Sequence, residues 1–148
     1  MDNPTIRFLV VDDFATSRKI VIKNLAELGF LEIVEATNGE EAYQKLTEGI
    51  EGNATIGFII SDWNMPIMSG IDFLKKCRAE LRFRDIPFIL VTAEGDSTQI
   101  FDATCSGATD YLVKPFNSDS FKIKIKTYLR NVEKTISFSS LKVKKVVR

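Results

Sequence analysis

The sequence has 148 residues, enough for one domain and a short extension, and 45% of them are hydrophobic, enough to fill a core. Its 20 basic and 20 acidic residues cancel, which gives no support for nucleic acid as a partner, and no apolar run approaches the ~20 residues of a membrane span. The count of 0 His excludes phosphohistidine on this chain, histidine triads and histidine metal sites.

The chain opens on Met1-Asp2-Asn3-Pro4, without the basic and then apolar layout of a secretory signal, so a cytoplasmic protein is expected. Residues 6–11 read as a buried strand that runs into Asp12-Asp13. A helix is expected over 14–28, stopped by Gly29. Residues 32–36 make the weakest strand, expected at a sheet edge. Asn38 and Glu41 have the spacing of a capping box and open a helix over 38–47, followed by a polar, glycine-containing loop over 49–55. Strand three spans 57–61 and ends in Asp62. The helix over 69–81 carries Phe73, Leu74, Cys77 and Leu81 on one face. Strand four, 87–91, ends at Thr92; a short polar helix over 97–106 then stops at Gly107. Strand five, 110–113, leads into Lys114-Pro115. Phe121, Ile125, Tyr128, Leu129 and Val132 form the apolar stripe of a last helix over 118–132.

Strict alternation of strand and helix, with strands nearly continuous in Val, Ile, Leu and Phe, argues for an α/β fold with a parallel sheet covered on both faces. Five βα units in this length fit the flavodoxin-like doubly wound (βα)5 arrangement, a five-stranded parallel sheet of order 2-1-3-4-5 that is taken over from known folds. Residues 1–133 are expected to form this domain, and 134–148 a basic C-terminal extension, a tail or linker. The extension carries +5 and the rest of the chain −5. Cys77 and Cys105 lie far apart without metal-ligand spacing and are expected as reduced, buried packing residues. A phosphate-binding loop of the GxxxxGK[ST] form is missing, so no means of using ATP is visible.

In a doubly wound sheet, chemistry collects at the carboxyl ends of the strands. Here those ends carry Asp12 and Asp13, then Asp62, then Thr92, then Lys114. An aspartate after a strand is commonly only a helix cap, and Asp13 alone could cap the first helix. The coincidence of several strand ends is more telling. Three carboxylates in one mouth repel one another, and a hard divalent cation with oxygen ligands relieves them. Mg²⁺ suits one or two direct carboxylates, several waters and a phosphate oxygen. A carboxylate can then act as a nucleophile and form an aspartyl-phosphate, with Lys114 as cation and Thr92 as hydroxyl donor.

These residues are recognisable as blocks. Val10-Val11-Asp12-Asp13, Ile60-Ser61-Asp62-Trp63-Asn64-Met65-Pro66 with Gly70 following, Val91-Thr92-Ala93-Glu94, and Tyr111-Leu112-Val113-Lys114-Pro115-Phe116 resemble the signatures of response-regulator receiver domains over roughly residues 5–132. Phe14, Arg18, Glu94 and Tyr111 add a likeness to the CheY chemotaxis family. The resemblance implies that Asp62 is the phospho-acceptor, and that Asp13, Asp62 and the backbone carbonyl of Asn64 ligate Mg²⁺, with Asp12 acting through water. It implies that Lys114 pairs with the acceptor and that its bond to Pro115 is cis. Thr92 and Tyr111 would switch on phosphorylation, Asn64 and Glu94 would tune dephosphorylation, and Tyr111 and Lys124 would contact a partner on a face of helix four, strand five and helix five. Implied partners are a histidine kinase of the CheA kind, the flagellar motor switch and a phosphatase. The chain is expected to be a monomeric switch rather than an enzyme, beyond catalysing its own phosphorylation and dephosphorylation. A phosphorelay or stress-signalling receiver would carry the same acidic site.

Three other readings compete. An aspartyl-nucleophile phosphohydrolase would need an acid two residues after the nucleophile, where this chain has Asn64. A flavin-binding domain would need a phosphate-cradling loop after strand one, where Asp12-Asp13 would repel a phosphate. A transcription-factor receiver would need a DNA-binding element, and only a short tail follows residue 133.

Overall fold

Phe8–Val11 (β1), Phe58–Asp62 (β3) and Phe88–Thr92 (β4) are short runs buried at every position, as strands covered on both faces must be. A computed structural model describes residues 6–130. Ile33–Ala36 (β2) and Asp110–Val113 (β5) complete a five-stranded parallel sheet of order β2-β1-β3-β4-β5, the order expected. The two outer strands are the less buried ones. Between them lie Ala15–Glu27 (α1), Gly39–Glu51 (α2), Gly70–Ala79 (α3) and Ser97–Cys105 (α4). The chain divides after Phe116, and the described part of the second unit is a helix over 118–130 (α5). Asn117 caps α5 by accepting the Ser120 N–H at 2.7 Å, and Phe121, Ile125 and Leu129 of the expected stripe are buried. Val132 and the extension from 134 lie outside the described residues.

Alternate strand residues feed two apolar layers. Leu9, Val11, Ile59, Phe88 and Leu90 belong to a cluster with Ala42 and Leu46 of α2 and with Phe73, Leu74 and Cys77 of α3. On the other side, Phe8 stacks against Phe58 and tilts onto Phe30, with ring centroids 5.1 Å apart in both pairs.

The helix ends follow from named residues. Gly29, at φ 95°, closes α1: its N–H bonds Ala26 O at 2.9 Å and the Phe30 N–H reaches Leu25 O at 3.0 Å. Gly107, at φ 99°, closes α4 in the same way through Thr104 O and Ala103 O. Asn38 caps α2 through the Glu41 N–H, but the Glu41 carboxylate reaches back to the N–H of Thr37, one residue earlier than a capping box requires.

Two helix ends shift by two residues or more from expectation. Helix α2 continues to Glu51 and absorbs the first residues of the expected loop, because Ile50 packs on the core and Gly49 leaves room for the Ala54 carbonyl. Helix α3 stops at Ala79, because Glu80 is extended at φ −100° and ψ 122°. Leu81 is therefore 73% exposed, and Phe83 takes its place in the core against Tyr43.

The loop from β3 to α3 sets the position of Asp62. A Cβ on Gly70 would lie 1.9 Å from the Asp62 carbonyl oxygen, so only glycine lets α3 start this close to the strand end. Ile67 sits at φ 70°, inside a turn in which the Met68 N–H bonds Pro66 O at 2.7 Å. A β-branched residue is strained there, and this one is 76% exposed, so little burial offsets the strain. Gly70→Ala is expected to lower stability by about 3 kcal/mol, and Ile67→Asn to raise it by about 1 kcal/mol. Urea midpoints at unchanged slope would check both.

Candidate functional site

Register alone brings the chemistry together. Val11 pairs with Ser61, Asp62 with Val91, and Thr92 with Val113, so the residues after β1, β3, β4 and β5 share one edge. The Lys114 N–H bonds Thr92 O at 2.8 Å and carries the alignment one residue beyond the strands. This edge is the topological switch point, where the chain leaves β1 for β2 on one side and β3 lies on the other.

Asp12, Asp13 and Asp62 each place a carboxylate oxygen within 4.8 Å of the others. Asp12 and Asp62 are buried and Asp13 is half-buried. Lys114 Nζ donates to Asp12 Oδ2 at 3.1 Å and forms an ion pair with Asp62 Oδ1 at 3.4 Å. Lys114 thus lies between two carboxylates rather than on Asp62 alone. Its peptide bond to Pro115 is cis, as the resemblance implied. Burial pushes the Asp62 carboxyl up, the Asp12 charge adds to this, and Lys114 opposes it. Burial pulls the Lys114 ammonium down, but its bond to Asp12 and the charges of Asp62 and Asp12 outweigh that and leave it raised. A cavity of about 410 Å³, with Val10, Ile20, Ile60 and Phe116 among its walls, adjoins Asp12, Asp62 and Lys114.

Asp13 does not cap α1, whose N-cap is Phe14 with no side-chain cap bond, and Asp12 instead closes a turn just before the helix. Asp12 Oδ1 accepts the Phe14 N–H at 2.9 Å, and its backbone carbonyl accepts from Arg18 at 2.8 Å. Asp13 Oδ1 is buried with no hydrogen-bond partner among the described residues. A cation would satisfy that oxygen. The all-oxygen donor set and the excess of acid over the one lysine fit Mg²⁺.

The other expected residues are placed as follows. Thr92 is buried; its hydroxyl accepts the Glu94 N–H at 3.0 Å and faces Glu94 O at 2.9 Å and Gln99 Oε1 at 3.1 Å. Asn64 and Glu94 are exposed, and Tyr111 on β5 is half-buried. Lys124 is half-buried on α5, in the second unit. Cys77 is buried, and burial pushes its thiol up to about 12, which keeps it inert. Cys105 is exposed, against expectation, because the single buried position of short α4 is Ala103. Sequence reasoning missed Gln99. Its one signal was the spacing from Asp96, whose side chain caps α4 through the Gln99 N–H at 2.8 Å.

Residues 8–126 match the response regulator receiver domain. The chain belongs to that family. It is 41% identical over 124 residues to the chemotaxis protein CheY1 of Helicobacter pylori strain J99, covering 84% of this chain and 97% of the relative. The receiver also superimposes on the chemotaxis response regulator CheY4 of Vibrio cholerae, with a TM-score of 0.70 and 34% identity over 84% of this chain and 97% of that one. A structure from Borrelia burgdorferi, a CheX–CheY complex with BeF₃ and Mg²⁺, matches with a TM-score of 0.76 and 25% identity over 84% of this chain and 89% of that one. Among the described residues no helix is long and apolar enough to cross a membrane.

Mg²⁺ is expected to stabilise the receiver by about 2.7 kcal/mol at one hundred times its dissociation constant. Asp13→Asn should be more stable than the parent without the metal and gain little from it. Thermal unfolding across a Mg²⁺ series would measure both effects.

Proposed function

We propose that the chain is a chemotaxis response regulator that accepts a phosphoryl group on Asp62 and thereby changes its affinity for a partner. The observation that carries this reading is the mouth itself: Asp62 and Asp12 bridged by Lys114, beside a buried Asp13 oxygen without a donor. Asp12, Asp13, Asp62 and the backbone carbonyl of Asn64 would hold Mg²⁺, which when bound neutralises charge on the carboxylates and on the incoming phosphoryl oxygens.

An Asp62 carboxylate oxygen attacks the phosphorus of a phosphohistidine. The O–P bond forms as the N–P bond breaks, and the electron pair returns to the imidazole, which takes a proton from water. Lys114 already faces Asp62 and moves its charge toward the phosphoryl group. Thr92 stands at the end of the neighbouring strand as hydroxyl donor for a phosphoryl oxygen. Hydrolysis reverses the covalent step: water attacks phosphorus, the O–P bond breaks, and phosphate and the Asp62 carboxylate are released. Asn64 and Glu94, both exposed, are suited to admit or orient that water.

The donor would be a histidine kinase of the CheA kind, since the chain has 0 His of its own. Tyr111 on β5 and Lys124 on α5 would each contact the flagellar motor switch. A phosphatase would complete the set of partners, and the Borrelia relative, solved with CheX bound, supports a second binding protein. The chemotaxis assignment rests on the curated relative and on the Vibrio structure. On this reading the protein is cytoplasmic and monomeric, residues 134–148 are a tail or linker, and its only catalysis acts on its own Asp62.

Trp63 is the only Trp in the sequence and follows the acceptor, so its fluorescence reports on the site. Beryllofluoride and acetyl phosphate should each change that fluorescence only with Mg²⁺ present, and Asp62→Asn should abolish the change. An unresponsive parent that also gains no phosphoryl mass would sink the proposal.

A further inference from the structure

The Thr92 hydroxyl is held on the side of α4. Every hydrogen bond it makes among the described residues goes to Glu94 or Gln99, and none goes to Asp62. Gln99 is a half-buried residue of the first turn of α4, and its side chain meets that hydroxyl at 3.1 Å. The hydroxyl has one proton to share between Glu94 O and Gln99 Oε1, so the contact is a hydrogen bond when that proton points to Gln99 or when the amide turns its NH₂ toward the hydroxyl.

Helix α4 is weakly held by apolar packing, with Ala103 as its one buried residue. Polar contacts at its two ends therefore carry more of its placement. At the C-terminal end, Arg78 Nε donates to Gly107 O at 2.8 Å, a cation at a helix C-terminus. That anchor comes from α3 and involves none of the acidic residues. At the N-terminal end, Asp96 caps the helix internally, and Gln99 is the side chain that joins α4 to the strand end carrying Thr92. Gly95 allows the connecting loop to lie on β5, where a Cβ would stand 2.5 Å from Val113 Cγ2.

We propose that Gln99 is a positioning residue, a latch that holds the Thr92 hydroxyl away from the acceptor in the resting protein and ties its release to movement of α4. The inference rests on the receiver reading. Thr92 cannot bond a phosphoryl oxygen on Asp62 and keep its present geometry toward Gln99. Phosphorylation therefore breaks the N-terminal tie of α4 and leaves the Arg78 anchor in place, so the helix pivots about its C-terminal end. By linkage, cutting the tie in advance favours the phosphorylated geometry.

Gln99→Leu keeps the size and helix propensity of the side chain and removes the bond. It is expected to tighten Mg²⁺-dependent beryllofluoride binding, read by Trp63 fluorescence, by about fivefold, the equivalent of one hydrogen bond. A merely structural lesion would weaken binding instead. In a Thr92→Val background the same substitution should have no effect on that affinity. The latch is a property of the resting state, so it also has a readout without any phosphoryl mimic. Amide exchange over residues 97–105 should speed up by about fivefold in Gln99→Leu and equally in Thr92→Val, with no further increase in the double variant. Unchanged exchange in either single variant, additive effects in the double, or unchanged or weaker beryllofluoride binding by Gln99→Leu in a responsive parent would overturn the proposal. If the parent ignores beryllofluoride, the receiver reading falls, and the exchange data alone decide whether the latch exists.

Discussion

Like charge confined by sheet register is the constraint on which the rest of this structure depends. The pairing of β1 with β3 leaves Asp12 and Asp62 side by side, and Asp13 follows directly. Asp12 and Asp62 cannot swing away freely, because Asp12 is pinned by the Phe14 N–H and Asp62 by the close start of α3 at Gly70. Lys114 reaches both Asp12 and Asp62 and leaves Asp13 Oδ1 unsatisfied. The protein holds repulsion at this edge that a cation or a cationic rearrangement can discharge. That is what a switch requires: a local imbalance whose relief has consequences elsewhere.

The surroundings keep this imbalance strong. The strands behind the mouth are buried on both faces, and the cavity beside it is walled mostly by apolar side chains. In such a setting charges act over longer distances than in water. The opposite holds around α4, which is short, polar and held by few buried contacts. A stiff sheet thus carries the charges, and a loosely mounted helix lies next to the strand end that carries Thr92. A small displacement of one hydroxyl can then become a larger displacement of a surface element.

Much of the fold was legible in residue order. Branched and aromatic runs of four or five residues cannot form lone helices, and their alternation with amphipathic segments leaves few topologies. Gly29 and Gly107 marked helix ends because only glycine takes the left-handed turn at low cost. The boundaries that shifted did so for tertiary reasons. Helix α2 runs through Gly49 because Ile50 has a core to meet. Helix α3 stops at Ala79 and gives its last core position to Phe83, and a periodic pattern cannot foresee which of two nearby apolar residues turns inward.

The members of the site were legible too, since Asp12, Asp13, Asp62, Thr92 and Lys114 all stand where strands end, and parallel strands end on one edge. The sequence by itself determined which chemical groups stand at the strand ends, because parallel strands that end in these residues bring them to one edge whatever the side chains do. Only the tertiary structure decided how they share one another. It turned Asp12 onto the Phe14 N–H and left Asp13 without a capping role, placed Lys114 between two carboxylates, exposed Cys105, and turned the Thr92 hydroxyl toward Gln99. Those choices depend on ångström-scale distances between segments far apart in the chain. Such distances are set by how helices pack on the sheet, and no local pattern of residues encodes them.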